Sequence, residues 1–452
     1  MPEPTERLSF REKVSYGLGD SASNFFFQFV GQFGIFYYTD VFRLPPAVAG
    51  TMFVVVRVLD AFLDPLVGIV ADRTRSRWGK YRPWLLFGAV PYGILTYAMF
   101  ANPNLGPGAR LAYAYLTYIL AWTAYSAINI PYSALMGVIS PSSEQRTSVS
   151  TIRFVCAFIA ALLIGTYTLD IKNFLGHGND AEGIRLTMLI FAVISAGLFL
   201  VTFAGTRERV QPRAEKSIRL GPELGNLCRN RAWVVLFLVG FTLLAANAVR
   251  NAIAVYYFKY NVGSEEGLHN FNLYGFGAFI LGTLCTKAFL KLGERRSMLS
   301  LLYVVVGLLW CSFAFVDPRR TTLVVGLNVL ASFIAGPQPA ILWAMYAECA
   351  DYGEWRFGTR STALVFSSAI FSQKAGLAIG SALVGWLLGH YGFVANQVQN
   401  VHTSRGITLM LSAVPGVLSV ASGLLVLLYP LGNADVRTVE AELAARKAAA
   451  AP

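Results

Sequence analysis

Ala49-Gly-Thr-Met-Phe-Val-Val-Val-Arg57-Val-Leu-Asp60-Ala-Phe-Leu-Asp64-Pro65-Leu-Val-Gly68-Ile-Val70 is an apolar run long enough to cross a bilayer, and it carries two aspartates one helical turn apart. A carboxylate at bilayer depth costs roughly 2.5 to 3.5 kcal/mol on insertion scales, so a pair of them demands a compensating partner. The simplest partner is a cation. On a helix, positions four apart share one face, and Arg57, three residues before Asp60, shares it too. Arg57, Asp60 and Asp64 therefore form one polar stripe on an otherwise apolar helix.

Working outward, the 452 residues are 55% hydrophobic and only 14% charged, with a mean hydropathy of +0.52, which is the composition of an integral membrane protein. About twelve apolar runs reach the roughly 20 residues needed to span hydrocarbon. They lie near 14–38, 46–71, 83–101, 110–139, 150–171, 185–205, 231–258, 270–290, 298–316, 321–347, 361–389 and 406–431. The expected fold is an all-α membrane protein of twelve transmembrane helices in two pseudo-symmetric bundles of six. The net charge of +12 would suggest nucleic acid in a soluble chain. Here Lys and Arg collect in alternate connections, as the positive-inside rule requires when both termini are cytoplasmic, so no nucleic-acid partner is expected. The partner is the lipid of the inner (cytoplasmic) membrane, and a monomer is expected.

Five cysteines form no CxxC or Cys/His cluster, so neither disulfides nor a metal site of that kind are expected. No Walker loop, nucleophile elbow or HExxH motif appears, which disfavours an enzyme or an ATP-driven pump and points to no cofactor beyond a coupling ion.

The longest basic connection, residues 206–230, divides the chain into an N-terminal bundle (1–205) and a C-terminal bundle (231–432), with a cytoplasmic tail at 433–452. Equivalent connections match: Ser143-Glu-Gln-Arg146-Thr-Ser enters the fifth span and Trp355-Arg-Phe-Gly-Thr-Arg360-Ser-Thr the eleventh. Six plus six with repeated signals is the layout of a secondary transporter that rocks about a midplane site.

Tyr16-Gly-Leu-Gly-Asp20, Tyr37-Tyr-Thr-Asp40, Arg57-Val-Leu-Asp60-Ala-Phe-Leu-Asp64-Pro65, Thr74-Arg-Ser-Arg-Trp-Gly-Lys-Tyr-Arg-Pro-Trp84, Asn129-Ile-Pro-Tyr132, Tyr256-Tyr-Phe-Lys-Tyr260, Asp351-Tyr-Gly-Glu354 and Lys374 follow one another along almost the whole chain. In these pieces it resembles the glycoside-pentoside-hexuronide:cation symporters of the major facilitator superfamily, the group that contains melibiose permeases. The resemblance implies the major facilitator fold and import of a sugar, glycoside or hexuronide coupled to H+ or Na+.

Two carboxylates this close in a low-dielectric cavity need a counter-charge, a raised pKa or a bound cation. An Arg–Asp pair that merely holds helices together is the bland alternative. The resemblance implies that Asp60 and Asp64 are the shared cation ligands, with hydroxyl help from Ser126, and that Na+ is a possible metal there. Sodium-using melibiose permeases carry a side-chain amide where this chain has Leu63. Sodium needs several oxygens whereas a proton needs one carboxylate, which favours H+.

For the substrate, the resemblance places Asn24 and Asn129 where melibiose permeases have aspartates. Amides still hydrogen-bond sugar hydroxyls but lose the charge-assisted pair, which turns the substrate away from melibiose. Asp20, one turn before Asn24, is either a substitute or a solvated helix end. Arg153, Arg250 and Lys374 are further charges inside spans. The resemblance implies that Arg153 holds substrate or a carboxylate and that Lys374 faces the two aspartates, while Arg250 is read equally as functional or as a residue that snorkels or pairs structurally. Three uncompensated cations would favour an anionic hexuronide. Trp343, Tyr125 and Tyr132 are aromatic candidates for stacking on sugar, with Gln338 and Asn251 as polar contacts; packing is the bland reading of the tyrosines.

The Asp72-Arg73-Thr-Arg-Ser-Arg77 segment resembles the superfamily's inner-loop signature, in which acidic and basic groups, Arg146 among them, bridge helices and hold one state. Asp351, Glu354 and Arg360 are its expected counterpart in the second half, and Pro65, Pro131, Pro337 and Pro339 are expected bends. A lysolipid or other amphiphile transporter of the same superfold, and a non-transporting membrane receptor, are the alternatives to sugar symport.

Overall fold

The computed structural model describes residues 8–140, 142–210, 220–357 and 362–449, and among them every regular element is helical. Two compact units form, Met1–Ala214 and Glu215–Pro452. The first holds α1 (Phe10–Phe36), α2 (Pro46–Arg73), α3 (Arg82–Met99), α4 (Pro107–Val138), α5 (Ser143–Gly176) and α6 (Asp180–Gly205). The second begins with α7 (Leu220–Arg229), a short helix in the connecting segment. It continues with α8 (Arg231–Tyr256), α9 (Glu265–Leu284), α10 (Thr286–Leu290), α11 (Arg295–Ser312), α12 (Thr321–Ala335), α13 (Gln338–Phe357) and α14 (Thr362–His390). Last come α15 (Val401–Leu411), α16 (Ala413–Leu427) and, in the tail, α17 (Asn433–Ala449).

Counted as membrane crossings among the described residues, these make twelve. The tenth is the broken pair α12–α13, and the twelfth the broken pair α15–α16. Pro337 explains the first break, because it has no N–H to give and disfavours helix in the residue before it. Seven of the crossings are apolar enough to be recognised as spans from length and hydropathy alone. The others, α1 to α4 and α9, include the helices with the most polar cargo, Asp20 on α1 and Arg57, Asp60 and Asp64 on α2.

Helix starts follow their capping residues. Ser9, Asn179, Asn230, Ser264 and Asn400 each accept a first-turn backbone N–H with the side-chain oxygen. Large apolar side chains point outward, as Phe62 (71% exposed), Leu66, Phe87 and Val193 do, while Asp20, Asp60, Arg250, Asn272 and Asn328 are buried. An exposed apolar surface with charge inside suits a lipid solvent.

Within each unit the packing scheme is the same. In the first, α1 packs on α5 and α6, α3 on α4 and α6, and α2 on α4. In the second, α8 packs on α14 and α16, α11 on α12 and α16, and α9 on α12. Even a local irregularity repeats: α1 runs into a π-helical turn at Tyr37–Val41 and α8 into one at Tyr257–Val262. Gly282 lets α9 approach the backbone of α12 so closely that a Cβ there would land on the Phe333 carbonyl. Gly282→Val is expected to destabilise the C-terminal unit by about 1–3 kcal/mol, as overpacking does; thermal unfolding of the purified protein in detergent measures it.

Candidate functional site

The α2 stripe is built against α4. Arg57 Nη1 donates to Asp60 Oδ2 at 3.5 Å, and its guanidinium carbon lies 3.4 Å from the ring centroid of Trp122. A cation over an indole gains about 0.5–2 kcal/mol, so Arg57 is held from two sides. Asp60 is only 6% exposed, and Asp64 is half-buried with Oδ1 shielded from solvent. Helices α2 and α4, separated by one crossing, run in the same direction. The buried Ser126 lies one turn beyond Trp122 on α4. Asp60, Asp64 and Ser126 supply oxygens; Leu63, half-buried between the aspartates, supplies none. No group of three or more His, Cys, Asp or Glu side chains assembles among the described residues.

A second charged pair joins α1 to α5. Arg153 Nε donates to Asp20 Oδ2 at 3.1 Å and Nη2 to Oδ1 at 3.4 Å, a two-pronged contact. Asp20 is buried, which overturns its reading as a solvated helix end, and Arg153 is compensated, which removes it from the set of free cations. The guanidinium also lies 5.4 Å from the Tyr132 ring. Tyr132 is a packing residue. It stacks on Tyr16 at 4.7 Å, and each hydroxyl donates to the other residue's carbonyl, at 3.1 and 2.8 Å.

Next to this pair lies a polar patch. Ser23 donates to Asn129 Oδ1 at 3.0 Å, Asn129 Nδ2 donates to the Tyr125 hydroxyl at 3.2 Å, and the Tyr125 ring stacks on Phe27 at 6.2 Å. Asn24 Nδ2 donates to its own helix at the Asp20 carbonyl, 2.8 Å away. Asn24, Asn129, Tyr125 and Arg153 thus share one region of the N-terminal unit.

In the C-terminal unit Trp343 on α13 stacks on Phe366 of α14 at 5.8 Å and is 38% exposed. Lys374, eight residues further along α14, and Asn251 on α8 are also exposed, whereas Gln338 is buried. Arg250 faces the other way from Asn251. It is 5% exposed, and its guanidinium donates to Asn328 Oδ1 at 2.7 Å and the Leu411 carbonyl at 3.2 Å beneath the faces of Phe271, Trp310 and Phe313. These are the contacts of the structural reading rather than the functional one: Arg250 pins α12 and the end of α15 to α8.

At the expected gate Asp72 is paired within its own loop. Asp72 bonds Lys80 at 3.0 Å and accepts from the Tyr81 hydroxyl at 2.7 Å, while Arg73 and Arg77 are exposed and Arg77 lies over its own neighbour Trp78. The reason is the turn at Gly79, whose φ of +108° folds Lys80 and Tyr81 back onto α2. Burial would lift the Asp72 carboxyl, but the Tyr81 and Lys80 hydrogen bonds and the ammonium charge together hold it below the ordinary carboxylate value. Glu208, which no motif flagged, clasps the start of α3 by accepting the backbone N–H groups of Lys80, Tyr81 and Arg82 at 2.8, 2.7 and 3.0 Å. Arg146 donates to the Ser140 carbonyl at 2.9 Å. Asp351 and Glu354 are half-buried on α13, and Arg360 lies outside the described residues.

Residues 15–433 match the model of the MFS/sugar transport protein family. The chain belongs to this family. A putative glycoside/cation symporter, YagG of Escherichia coli, is 33% identical over 444 residues, covering 98% of this chain and 96% of the relative. The isoprimeverose transporter of Lactiplantibacillus pentosus is 34% identical over 436 residues, covering 95% and 90%. In fold, a mutant of the nucleoside transporter NupG superposes with a TM-score of 0.67 at 16% identity, covering 92% of this chain and 99% of the other. The chain is thus an integral, multi-pass membrane protein with the major facilitator fold.

Removing one partner of this partly buried pair leaves an uncompensated charge, so Asp20→Asn or Arg153→Gln alone should each cost about 1–3 kcal/mol. The double variant should recover much of it, as read by a double-mutant cycle on thermal unfolding. The depressed Asp72 carboxyl contributes stability above its unfolded pKa and loses it as pH falls through the lower native value. The small stability difference between the wild type and Asp72→Asn should hold at neutral pH and vanish in acid below the ordinary carboxylate range, in a pH series of unfolding temperatures.

Proposed function

We propose that this family member is a cation-coupled symporter that imports a sugar or glycoside by alternating access, with H+ favoured over Na+ as the coupling ion. The observation that carries the reading is the α2 stripe, where two carboxylates stand beside one guanidinium that is already committed to Asp60 and Trp122. Taking up a proton or a cation there changes the charge of the stripe, which gives the two conformations different affinities for the ion. Leu63 leaves sodium short of oxygens, while Asp64 suffices for a proton.

Asn24, Asn129 and Tyr125 of the first unit offer donors, acceptors and an aromatic face suited to sugar hydroxyls and the apolar side of the ring, and in the second unit Trp343, Asn251 and Lys374 are the proposed substrate residues. The argument for an anionic hexuronide weakens. Arg153 is neutralised by Asp20 and Arg250 is enclosed by neutral groups, so two of the three expected free cations are accounted for. An uncharged glycoside fits better, and the names of the glycoside/cation symporter and isoprimeverose relatives support it. Asp72 with Lys80, Arg73, Arg77 and Arg146, and Asp351, Glu354 and Arg360, form the proposed gates. The setting is the inner membrane, with both termini in the cytoplasm.

The test is uptake into proteoliposomes. Adding isoprimeverose or another glycoside to de-energised vesicles should raise external pH without sodium, and an imposed potential of 100 mV should drive roughly 50-fold accumulation. Asp64→Asn should reduce accumulation to about one-fold while sugar still equilibrates. Unaltered accumulation in Asp64→Asn would sink the cation-site assignment. Failure of every glycoside alongside movement of a lysolipid would establish the amphiphile reading, and movement of neither would establish a receptor.

A further inference from the structure

The family function makes no use of a cavity of about 530 Å³ where the start of α1 meets the end of α6. Ser9, Arg11, Glu12 and Ser15 line it from α1, and Val201, Ala204, Gly205, Arg207 and Arg209 from α6 and the segment after it. Its charge comes from its arginines. Helix α6 ends at Thr206 in extended conformation (φ −117°, ψ 157°). In the segment that follows, Arg207 and Arg209 both line the cavity, while Glu208 between them is consumed by the three N–H groups at the start of α3. Two backbone bonds, from Arg209 and Val210 to the Val138 carbonyl, fix the segment.

Among the described residues, the one carboxylate that lines the cavity is spoken for. Glu12 is buried and takes a two-pronged contact from Arg209, at 2.6 and 3.0 Å. Arg11 and Arg207 are exposed and have no carboxylate at ion-pair distance among the described residues. Three arginines against one glutamate leave the lining at +2, with the Ser9 and Ser15 hydroxyls as further polar groups. Apolar side chains are exposed beside these charges: Val201 in the lining is 44% exposed, and Phe10, next to Arg11 at the head of α1, is 75% exposed. A basic hollow with exposed apolar side chains beside it, at the end of membrane-crossing helices, matches an ionic headgroup joined to acyl chains better than it matches a free soluble anion.

We propose that this cavity binds the phosphodiester headgroup of an anionic phospholipid, with Arg11 and Arg207 contacting the phosphate and Phe10 and Val201 lying along the chains. Glu12 and Arg209 act as positioning residues that hold the wall.

The shared chemistry, a phosphate oxyanion, could also come from inorganic phosphate, so the experiment carries both. Purified full-length protein in detergent is titrated with cardiolipin, phosphatidylglycerol, phosphatidylethanolamine and inorganic phosphate, with bound lipid read by native mass spectrometry and by the rise in unfolding temperature. The same titrations are run on Arg11→Gln/Arg207→Gln and on Lys287→Gln/Lys291→Gln, a variant that removes the same charge from two exposed positions elsewhere. The expected result is saturable binding of the anionic lipids to the wild type, about 30-fold weaker in the arginine variant and unchanged in the lysine variant. Equal unfolding temperatures in lipid-free detergent show that the arginine variant is folded. Equal lipid binding by wild type and arginine variant, equal losses in both variants, or displacement of the lipid by millimolar inorganic phosphate would each overturn the proposal.

Discussion

A guanidinium between a carboxylate and an indole is the contact on which the rest of the N-terminal unit depends. Arg57 is held on α2 beside Asp60, and the pair gains orientation from Trp122, which ties α2 to α4 one turn before Ser126. Charges at this depth persist only where each has a partner. The same rule produces three different solutions in one chain: an arginine shared between a carboxylate and a ring, a two-pronged Arg153–Asp20 bridge between α1 and α5, and an Arg250 surrounded by a carboxamide, a carbonyl and three aromatic faces. The first sits beside a second aspartate and is suited to ion exchange. The last holds five elements of the C-terminal unit together and is suited to permanence.

Much of this was legible in the residues. The twelve crossings, the two halves and the Arg57–Asp60–Asp64 stripe follow from hydropathy and from the spacing of three and four, because in a membrane the cost of an error is large enough to make the pattern clean. What escaped was pairing across distant sequence. That Asp20 meets Arg153, 133 residues away, depends on α1 lying on α5, and no periodicity within either helix encodes it. Trp122 was findable in part, since it lies one turn before Ser126 on α4. Glu208 was not: its role depends on the Gly79 turn delivering three free N–H groups to the end of α6, a matter of backbone direction.

The gate shows how local geometry selects among similar residues. Arg73, Arg77 and Lys80 are all basic and all near Asp72, yet only Lys80 is returned to it by the positive φ at Gly79. Arg75 is a fourth basic neighbour in the same segment, and one glycine chose among them.

The π-helical turns that end α1 and α8 carry a further consequence. A five-residue hydrogen-bonded turn, seen in Phe42 N–H donating to the Tyr37 carbonyl at 2.8 Å, holds one residue more than an α-turn and so advances the side chains beyond it by about 100°. The first crossing of each unit therefore acts as a shaft with an offset key: the face that packs along most of its length is not the face presented at its end. Because the offset recurs at the same place in each unit, a one-residue deletion in either turn would re-aim one helix end relative to its own bundle and leave the other as it was, breaking the chain's internal twofold likeness at a single residue.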